Sequence, residues 1–562
     1  MGCGLCLAST PLWSYKGGMK YLVVSFICVA LLATASGRAF ARGSDTALDE
    51  PPAGIGPTTA TLSQVLEAHT TAVGHLAAGG GSVRTDVWTF TKAGAQGSER
   101  LVRRGTDYHS IITTGPFTEE YGQSGDARWY MNENGAVTDT TESDFRSFEV
   151  FRVLEEASDP KNDVKLLGET ASSSPDYVVE VKLPRSPHPE WIYFNKKSSL
   201  VTRTEQVIEE KRLVSTYDNY QTLGGLTEPA HIHDSDGTVV LDDDYRRQSV
   251  SFSNTVSATE FTKPVQHASF ARIDHPVDLK ARIVQGTVII RLMVNNRGLD
   301  FELSSGDSHS YIDWDVAREL NLPSFGQVTQ AERDAVPYET RIDAAWAGDQ
   351  YLQNFAIEVL PFHYHTDVNT QVVGVLGYDF LSQGLFTVDY VNKRVTASPN
   401  TVDPFDPFGA GLDVLPVWFD NGQPFFGCTI GVHDTRNVLL DSSFGLSFVL
   451  GSFTQQYPDA VPDLFRKEHM HTVVPFADNG SYGRDADVWI ANIPQLQVGP
   501  MNFLNYQLLA TDMEWERGDH PVDAVIGTQF LQYFDVTYDF AHSRVLLKEN
   551  DYFHRSFKVS HK

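Results

Sequence analysis

Cysteine is scarce in this chain of 562 residues, which contains four. Three of them, Cys3, Cys6 and Cys28, lie in the first 41 residues, a segment that we expect to be removed. Cys428 then remains alone, which excludes an intramolecular disulfide even in an oxidising compartment. The rest of the chain also contains no Cys-x-x-Cys pair, so the common thiol-based metal and redox motifs do not apply to it.

Positive charge is also in short supply. Lys and Arg total 44 against 72 Asp and Glu, for a formal net charge of −28. The first 41 residues hold Lys16, Lys20 and Arg38 but no acid, so their removal would make the chain more negative still. Such a field repels phosphate backbones and anionic membrane surfaces, so the sequence predicts no nucleic-acid partner.

Long apolar runs are missing as well. The run at residues 21–34 covers 14 residues, short of the roughly 20 that a membrane-spanning helix needs. Two lysines precede it, and Ala39-Phe40-Ala41 follows it as a small-x-small cleavage site. Residues 1–41 therefore predict a signal peptide, with Met1 or Met19 as the start, and an exported protein that is periplasmic or secreted.

Motifs for cofactors and metals are weak or absent. No phosphate-loop or dinucleotide-binding glycine pattern is present, so we expect no cofactor. Three His-x-His pairs place two imidazoles on one strand face, as half of a metal site would require. None of them has a third ligand placed by the sequence, so we expect solvent-facing histidines and no metal. The pairs are His231/His233, His363/His365 and His469/His471.

The sequence does contain an internal repeat near its end. Val375-Leu376-Gly377-Tyr378-Asp379-Phe380-Leu381 is echoed by Val525-Ile526-Gly527-Thr528-Gln529-Phe530-Leu531. Both copies continue at the same offsets to Asp389/Asp539, Arg394/Arg544 and Val395/Val545. Each copy has apolar residues, a Gly, a Phe-Leu pair and then an alternating strand. Equal spacing over this length predicts two copies of one β unit that arose by duplication.

A polar loop precedes each copy. The first follows the strand Asp300-Phe301-Glu302-Leu303 and reads Ser304-Ser305-Gly306, and the second follows Val438-Leu439-Leu440 and reads Asp441-Ser442-Ser443. An apolar strand that runs into Asp-Ser/Thr-Gly and is followed by apolar-apolar-Gly resembles the retropepsin-like and pepsin-like aspartic proteases. The resemblance covers about residues 280 to 550. It implies a mainly β fold with two fused barrel halves and a cleft for an extended peptide.

The resemblance also implies roles for residues of the two loops. Asp441 is the catalytic candidate, and Ser304 occupies the position of its partner. The candidates for substrate binding are Ser305, Gly306, Ser442, Ser443, Gly377 and Gly527.

Hydrolysis by an aspartic pair requires two carboxyl groups that share one proton. A hydroxyl at Ser304 cannot supply the second carboxyl, and loss of a positioned acid or base costs about 10²- to 10⁴-fold in rate. Two functions therefore stay open. One is an aspartic-type endopeptidase with an altered mechanism. The other is a non-catalytic pseudoprotease that binds an extended peptide, a lipid or a lipopeptide.

Several routes could replace the missing carboxyl. Asp300 lies four residues before Ser304 on the strand, which is about 13 Å at 3.3 Å per residue. Asp307 lies beyond the turn at Gly306 and would point elsewhere unless the loop is rebuilt. A homodimer could bring two Asp441 loops together. Ser443 adds a further cost, because a glycine at that position would enter positive φ freely.

A different hydrolase motif is also present. Gly306-Asp307-Ser308 together with the Asp-x-x-His spacing of Asp551 and His554 resembles the GDSL-type esterases. That fold alternates strands with helices, whereas residues 306–550 have the pattern of strands.

The N-terminal region has its own pattern. Residues 42–58 predict a disordered leader, and residues 61–76 predict a helix that ends before Gly79-Gly80-Gly81. Short alternating strands follow as far as Asn254. The helix followed by strands such as Ala127-Arg128-Trp129-Tyr130-Met131 and Trp191-Ile192-Tyr193-Phe194 resembles the outer-membrane lipoprotein-carrier fold. It implies an α+β curved half-barrel at residues 59–254 with an apolar cavity.

The remaining boundaries complete the predicted organisation. We expect a linker at residues 255–279, a first half at 280–399, a hinge at 400–411, a second half at 412–550 and a charged tail at 551–562. A short helix is predicted from Asp313 to Leu320. The oligomeric state does not follow from the sequence.

Overall fold

The computed structural model of the chain describes most residues between 50 and 557. These are residues 50–74, 83–92, 94–140, 154, 163–182, 188–208, 211–237, 242–266, 270–325, 338–362, 364–367, 370–401, 411–461, 463–472, 484–513, 515–517 and 520–557. The predicted signal peptide and nearly all of the predicted hinge lie outside these ranges. Within them, no helix has the length and apolar character needed to cross a membrane.

The predicted mainly β fold is confirmed. The first part of the described chain forms one antiparallel sheet, here called the N-terminal sheet, with the strand order β1-β8-β9-β10-β11-β12-β13-β14-β2-β3-β4-β5-β6-β7. Its strands are β1 (Ile55–Gly56), β2 (Val83–Lys92), β3 (Ala95–Arg104), β4 (Asp107–Thr114), β5 (Phe117–Ser124), β6 (Ala127–Met131), β7 (Val137–Asp139), β8 (Asp163–Thr170), β9 (Asp176–Lys182), β10 (Glu190–Asn195), β11 (Val201–Ile208), β12 (Lys211–Leu223), β13 (Leu226–Ser235) and β14 (Asp242–Ser253).

Helix α1 (Leu62–Val73) packs on this sheet. Thr61 caps it: the Thr61 side chain accepts from the backbone of Gln64, and the Gln64 side chain accepts from the Thr61 N–H, which satisfies two otherwise unpaired donors. Its buried Val65 lies in an apolar cluster with Ile192 and Phe194. The helix ends before Gly74, at φ +78°, so it stops earlier than the predicted Leu76 because a glycine in positive φ is already available there.

The predicted disordered leader is wrong for its last residues. Ile55 and Gly56 pair with Thr170 and Glu169 as an edge strand, and Ile55 packs against the cluster around Trp191. A two-residue strand is too short to show an alternating pattern in the sequence. Its stability comes from pairing with the sheet edge that it covers. Residues 42–49 lie outside the described residues.

The first repeat follows the N-terminal sheet. Its strands β16 to β23 form a barrel-like sheet in the order β16-β17-β18-β23-β19-β21-β20, with β17 also paired to β20 and β22 to β23. Its elements are β15 (Val277–Asp278), β16 (Arg282–Val284), β17 (Thr287–Val294), β18 (Arg297–Leu303), β19 (Tyr311–Asp313), α2 (Trp314–Glu319), β20 (Tyr338–Ala347), β21 (Gln350–Leu360), β22 (Tyr364–Asp367), β23 (Thr370–Leu376), α3 (Tyr378–Leu381), β24 (Leu385–Asp389) and β25 (Arg394–Ser398). Helix α2 confirms the helix predicted from Asp313, which caps it through its carboxylate.

The second repeat also has strands, then a short helix, then further strands and a second short helix before its last strands. Its elements are β26 (Leu412–Asp420), β27 (Gln423–Ile430), β28 (His433–Leu440), β29 (Phe448–Val449), α4 (Gly451–Gln456), a 3-10 turn (Pro458–Ala460), β30 (Asp463–Thr472), β31 (Arg484–Val498), β32 (Met501–Thr511), β33 (Trp515–Arg517), β34 (His520–Val522), β35 (Ala524–Ile526), α5 (Thr528–Leu531), β36 (Phe534–Asp539), a second 3-10 turn (Phe540–His542), β37 (Arg544–Glu549) and α6 (Asp551–Ser556).

One sheet joins the two repeats. Its order is β15-β25-β24-β36-β37-β26-β27-β28-β35-β29-β32-β31-β30, so β24 of the first repeat pairs directly with β36 of the second. In that pair Thr387 lies opposite Thr537, and their hydroxyl oxygens are 2.8 Å apart. These threonines hold the same place in the two copies, so the pseudo-twofold axis of the duplication passes between them. A single apolar core runs through both repeats.

Two predicted boundaries need correction. The predicted linker contains β15, which pairs with β25, and Phe270, which stacks on Phe355 with ring centroids 4.2 Å apart. The predicted charged tail contains α6, whose Phe553 is buried. Both segments are polar on average, and one or two large apolar side chains are enough to bind each of them to the core.

The N-terminal sheet inserts a turn between the repeats. This docking tip comprises residues 132–139, between β6 and the end of β7. Asn134 donates to the carbonyl of Ala356 (2.8 Å) and to the carboxylate of Asp379 (2.9 Å) in the first repeat. The N–H of Gly422 in the second repeat donates to Thr138 (2.8 Å). The tip therefore contacts both repeats.

We predict that Phe553→Ala destabilises the protein by about 3 to 5 kcal/mol, because a buried phenyl ring is replaced by a cavity. Phe553 packs against Phe534 and Phe557, with centroids 5.4 and 4.9 Å away. Urea unfolding followed by fluorescence measures the change. The exposed neighbour His554→Ala is the matched control, and equal stabilities of the two variants would contradict the role given to α6.

Candidate active site

The two predicted loops meet at the centre of the repeats and brace each other. The Ser305 hydroxyl donates to the carbonyl of Leu440 (2.9 Å) and accepts from the N–H of Ser442 (3.0 Å). The Ser442 hydroxyl donates to the carbonyl of Leu303 (3.1 Å) and accepts from the N–H of Ser305 (3.0 Å). The four residues that make these bonds are buried. The brace therefore gives hydrogen-bond partners to polar atoms whose burial without partners would be destabilising. We call this set of four bonds the reciprocal brace.

Ser304 and Asp441 hold equivalent places beside the brace. The N–H of Ser304 donates to the carbonyl of Leu376 (3.0 Å), and the N–H of Asp441 donates to Ile526 (3.0 Å). The Ser304 hydroxyl accepts from the N–H two residues later (3.3 Å), as Oδ1 of Asp441 does (2.9 Å). One repeat therefore presents a hydroxyl where the other presents a carboxylate.

The surroundings of Asp441 are tight. A side chain on Gly306 would place its Cβ 2.2 Å from Oδ2 of Asp441, so the first loop needs glycine here for close approach. The Ser443 hydroxyl donates to Oδ1 of Asp441 (2.6 Å). Asp441 is 2% exposed and Ser304 is 0% exposed. The carboxylate thus lies in a buried, hydrogen-bonded position at the junction of the repeats.

The glycines of the repeated motif have a structural role. A Cβ at Gly377 would lie 2.5 Å from the carbonyl oxygen of His309, and one at Gly527 would lie 2.4 Å from that of Leu446. Each glycine N–H donates to a serine hydroxyl at 3.0 Å, from Gly377 to Ser310 and from Gly527 to Ser447.

Backbone bonds next to these glycines also match between the repeats. The N–H of Tyr378 donates to the carbonyl of Asp307 (2.8 Å), and that of Thr528 donates to Phe444 (2.7 Å). The motif glycines and the residues that follow them therefore hold the two loops in place. Together with the bracing Ser305 and Ser442, they form the frame of the site.

Sequence reasoning missed two further residues of the site. Gln423, which is nearly buried, donates to the carbonyl of Gly306 (2.7 Å) and so fixes the first loop from the second repeat. Tyr538 is fully buried beside the hydroxyls of Ser442 and Ser305, and burial raises its pKa to about 12. Neither belongs to a local motif, because each reaches the loops from a distant strand.

Two acids were considered from the sequence as replacements. Asp300 pairs with Arg282 (2.6 Å) and Arg291 (2.7 Å), so it serves a salt bridge on β18. Asp307 lies partly exposed after the loop, and its carbonyl holds Tyr378.

The alternative motifs are also located. His231 pairs with Asp218 and Asp244 (2.9 and 2.8 Å), whereas His233 pairs with Asp242 (3.2 Å). His365 is exposed. His363, and the side chains of His469 and His471, lie outside the described residues. His554 of the esterase-like motif lies on α6 near Glu549 (3.6 Å).

No protein-family model matches the sequence, and no curated protein is significantly similar to it. Three solved structures illustrate the structural matches. An aspartic proteinase from Irpex lacteus has 14% identity and a TM-score of 0.30, covering 49% of this chain and 98% of its own. Basic 7S globulin from soybean has 13% identity and a TM-score of 0.29, covering 51% and 97%.

A LolA superfamily protein from Nitrosomonas europaea has 13% identity and a TM-score of 0.28, covering 36% of this chain and 99% of its own. The matches thus include an aspartic proteinase and a LolA superfamily protein at low identity. At this level of similarity they assign no function to the chain.

We predict that Ser305→Ala and Ser442→Ala each destabilise the protein by about 1 to 3 kcal/mol, because each leaves a buried N–H and a buried carbonyl without a partner. The loss in the double variant should differ from the sum of the single losses, since both residues brace the same pair of loops. Urea unfolding of the four proteins tests this. Ser442→Thr keeps a hydroxyl and is the control. Additive losses would show that the two serines act independently.

Proposed function

We propose that this protein is a non-catalytic relative of the aspartic proteases in architecture, a pseudoprotease that binds an extended polypeptide. The observation that carries the proposal is the equivalence of Ser304 and Asp441 on either side of the reciprocal brace. The site has the frame of a paired-loop hydrolase but carries a hydroxyl in one of the two positions where that chemistry needs carboxyls.

The chemistry of the pair explains why this substitution matters. In an aspartic pair, one carboxylate takes a proton from the attacking water while the other carboxyl donates to the substrate carbonyl. A serine hydroxyl does not ionise in the working range and cannot lend its neighbour the negative charge that splits the two ionisations. Oδ1 of Asp441 also accepts hydrogen bonds from the Ser443 hydroxyl and N–H. In this proposal Asp441 acts as a hydrogen-bonded acid without a carboxyl partner at Ser304.

Binding without turnover is the function that fits this arrangement. In this proposal the two fused β repeats bind an extended chain at their strand edges, which pair with its backbone. The N-terminal sheet adds an apolar cluster beneath α1, and a lipidated polypeptide would engage both parts. Export is the proposed route, because residues 1–41 have the pattern of a signal peptide.

We predict that the unaltered protein does not cleave unfolded proteins between pH 3 and pH 7, and that Ser304→Asp combined with Ser443→Gly gains acid-optimum cleavage. The new carboxyl would stand where Asp441 can share a proton with it, so a gain of about 10²-fold or more is expected. Peptide release from a denatured protein substrate measures the activity.

The matched control is Ser304→Asn with Ser443→Gly, which has the same shape without an acid and should stay inactive. Thermal unfolding verifies that each variant is folded. Cleavage by the unaltered protein that Asp441→Asn abolishes would contradict the proposal and establish an aspartic-type endopeptidase with a different second acid.

Binding is tested separately by fluorescence anisotropy with unfolded peptides and their acylated forms. We expect micromolar or tighter binding that does not require Asp441, and stronger binding of the acylated peptides. Loss of binding in Asp441→Asn would contradict a ligand held by the frame of the repeats.

A further inference from the structure

A cavity lies where the N-terminal sheet meets the first repeat. Its volume is about 470 Å³. β5, β6 and the docking tip line one side, and β20, β21 and the residues after the first loop line the other. Its lining includes Ser310, which accepts from Gly377, but none of the residues whose side chains form the reciprocal brace.

Three carboxyl groups converge on this cavity from three segments of the chain. Glu119 comes from β5, Glu133 from the docking tip and Glu339 from β20. One carboxylate oxygen of each lies within 4.8 Å of the others. At these separations a proton held by one carboxyl group can be shared with a neighbouring carboxylate. Two carboxyl groups can share a hydrogen bond only when one of them carries a proton, because an ionised carboxylate has no donor.

The other titratable groups around the cavity leave the cluster short of positive charge. On the side of the N-terminal sheet are Lys92, Tyr121 and Tyr130, whose hydroxyl donates to Glu119 at 2.9 Å. From the first repeat come His309, Tyr338, Glu358 and Asp379. The carboxyl groups therefore outnumber Lys92 and His309, and full ionisation would place several negative charges in one enclosed space.

The electrostatics agree with a shared proton. Loss of water around its carboxyl group raises the pKa of Glu133 well above the usual value, and the neighbouring Glu339 and Glu119 raise it further. Part of the Glu133 residue is exposed, so the enclosure concerns its carboxyl end. Burial also raises the pKa of Asp379, although bonds from Ser310 and Asn134 oppose this. Those two bonds persist when Asp379 ionises.

We propose that Glu119, Glu133 and Glu339 form a proton-dependent latch between the N-terminal sheet and the first repeat. In the protonated state, hydrogen bonds between the carboxyl groups hold β5 and the docking tip against β20. When the shared proton leaves, the groups repel one another and this side of the interface opens.

The rest of the docking tip acts as the hinge. Asn134 stays bound to Ala356, and the Tyr378 hydroxyl stays bound to the carbonyl of Val137 (2.7 Å). None of these bonds depends on a proton shared between acids. Opening therefore widens the cavity at β5 and β20 without separating the two parts of the chain.

The direction of the pH dependence follows from the raised pKa. Closure is fully stabilised below the ordinary pKa of a glutamic acid, about 4.5. It weakens as pH rises through the higher pKa that Glu133 has in the closed state. With one proton released per opening, the opening equilibrium changes by about tenfold per pH unit between those two values.

Hydrogen–deuterium exchange on the full chain tests the latch. Exchange is followed at residues 117–123 and 338–347 from pH 4 to pH 8 and corrected for the intrinsic rate. We expect protection in both segments at low pH and a fall of about tenfold per pH unit above it. The strands far from the interface, such as β36, should show no matching change.

Glu133→Gln is the decisive variant, because its amide donates to Glu119 and Glu339 without taking up a proton. It should keep both segments protected across the range. Glu339→Gln provides a second variant with the same expectation if the first does not fold. Glu120→Gln is the matched control, since Glu120 is next to Glu119 but bonds His109 (3.1 Å) instead.

The result that would overturn the latch is equally specific. Protection in the unaltered protein that does not vary with pH would refute it. So would a pH dependence that Glu133→Gln and Glu339→Gln retain unchanged. Both readouts are independent of peptide cleavage or binding, so the latch and the proposed function stand or fall separately.

Discussion

The reciprocal brace between Ser305 and Ser442 is the interaction on which the rest of the two repeats depends. Each hydroxyl both donates and accepts across the pseudo-twofold axis, so neither loop can be built correctly without the other. The brace brings Ser304 and Asp441 to equivalent places and sets Gly306 against the Asp441 carboxylate. Because these groups are buried, every bond in it is worth more than it would be in water.

The two repeats share one frame but differ in the residues that their loops carry. Both copies have a motif glycine whose N–H donates to a serine hydroxyl, and both have the same backbone bond next to that glycine. The first loop has Ser304 and Gly306 where the second has Asp441 and Ser443. Ser304 accepts a loop N–H as Asp441 does, so the frame does not require an acid in both loops.

The docking tip gives the N-terminal sheet a part in this arrangement. Through Asn134, Val137 and Thr138 it contacts both repeats, and Ala136 lies in their common core. The three acids Glu119, Glu133 and Glu339, from β5, the docking tip and β20, lie beside this contact. A movement of the N-terminal sheet can therefore be transmitted to the repeats through these hydrogen bonds.

What the sequence by itself determined was local or repeated. The mainly β fold, the duplication, helix α1 and the helix after Asp313 follow from spacing and periodicity in the sequence. The correspondence of Ser304 with Asp441 was predicted because a similar polar loop precedes each copy of the repeat.

Tertiary structure alone decided the remaining features. β1 and α6 are too short to show a periodic pattern in the sequence. Each is held by the surface that it covers. Gln423, Tyr538 and the trio of Glu119, Glu133 and Glu339 come from distant strands, and no local pattern relates their positions. Their proximity is a consequence of strand order and of the docking tip, because long-range packing brings such side chains together only after the sheets have formed.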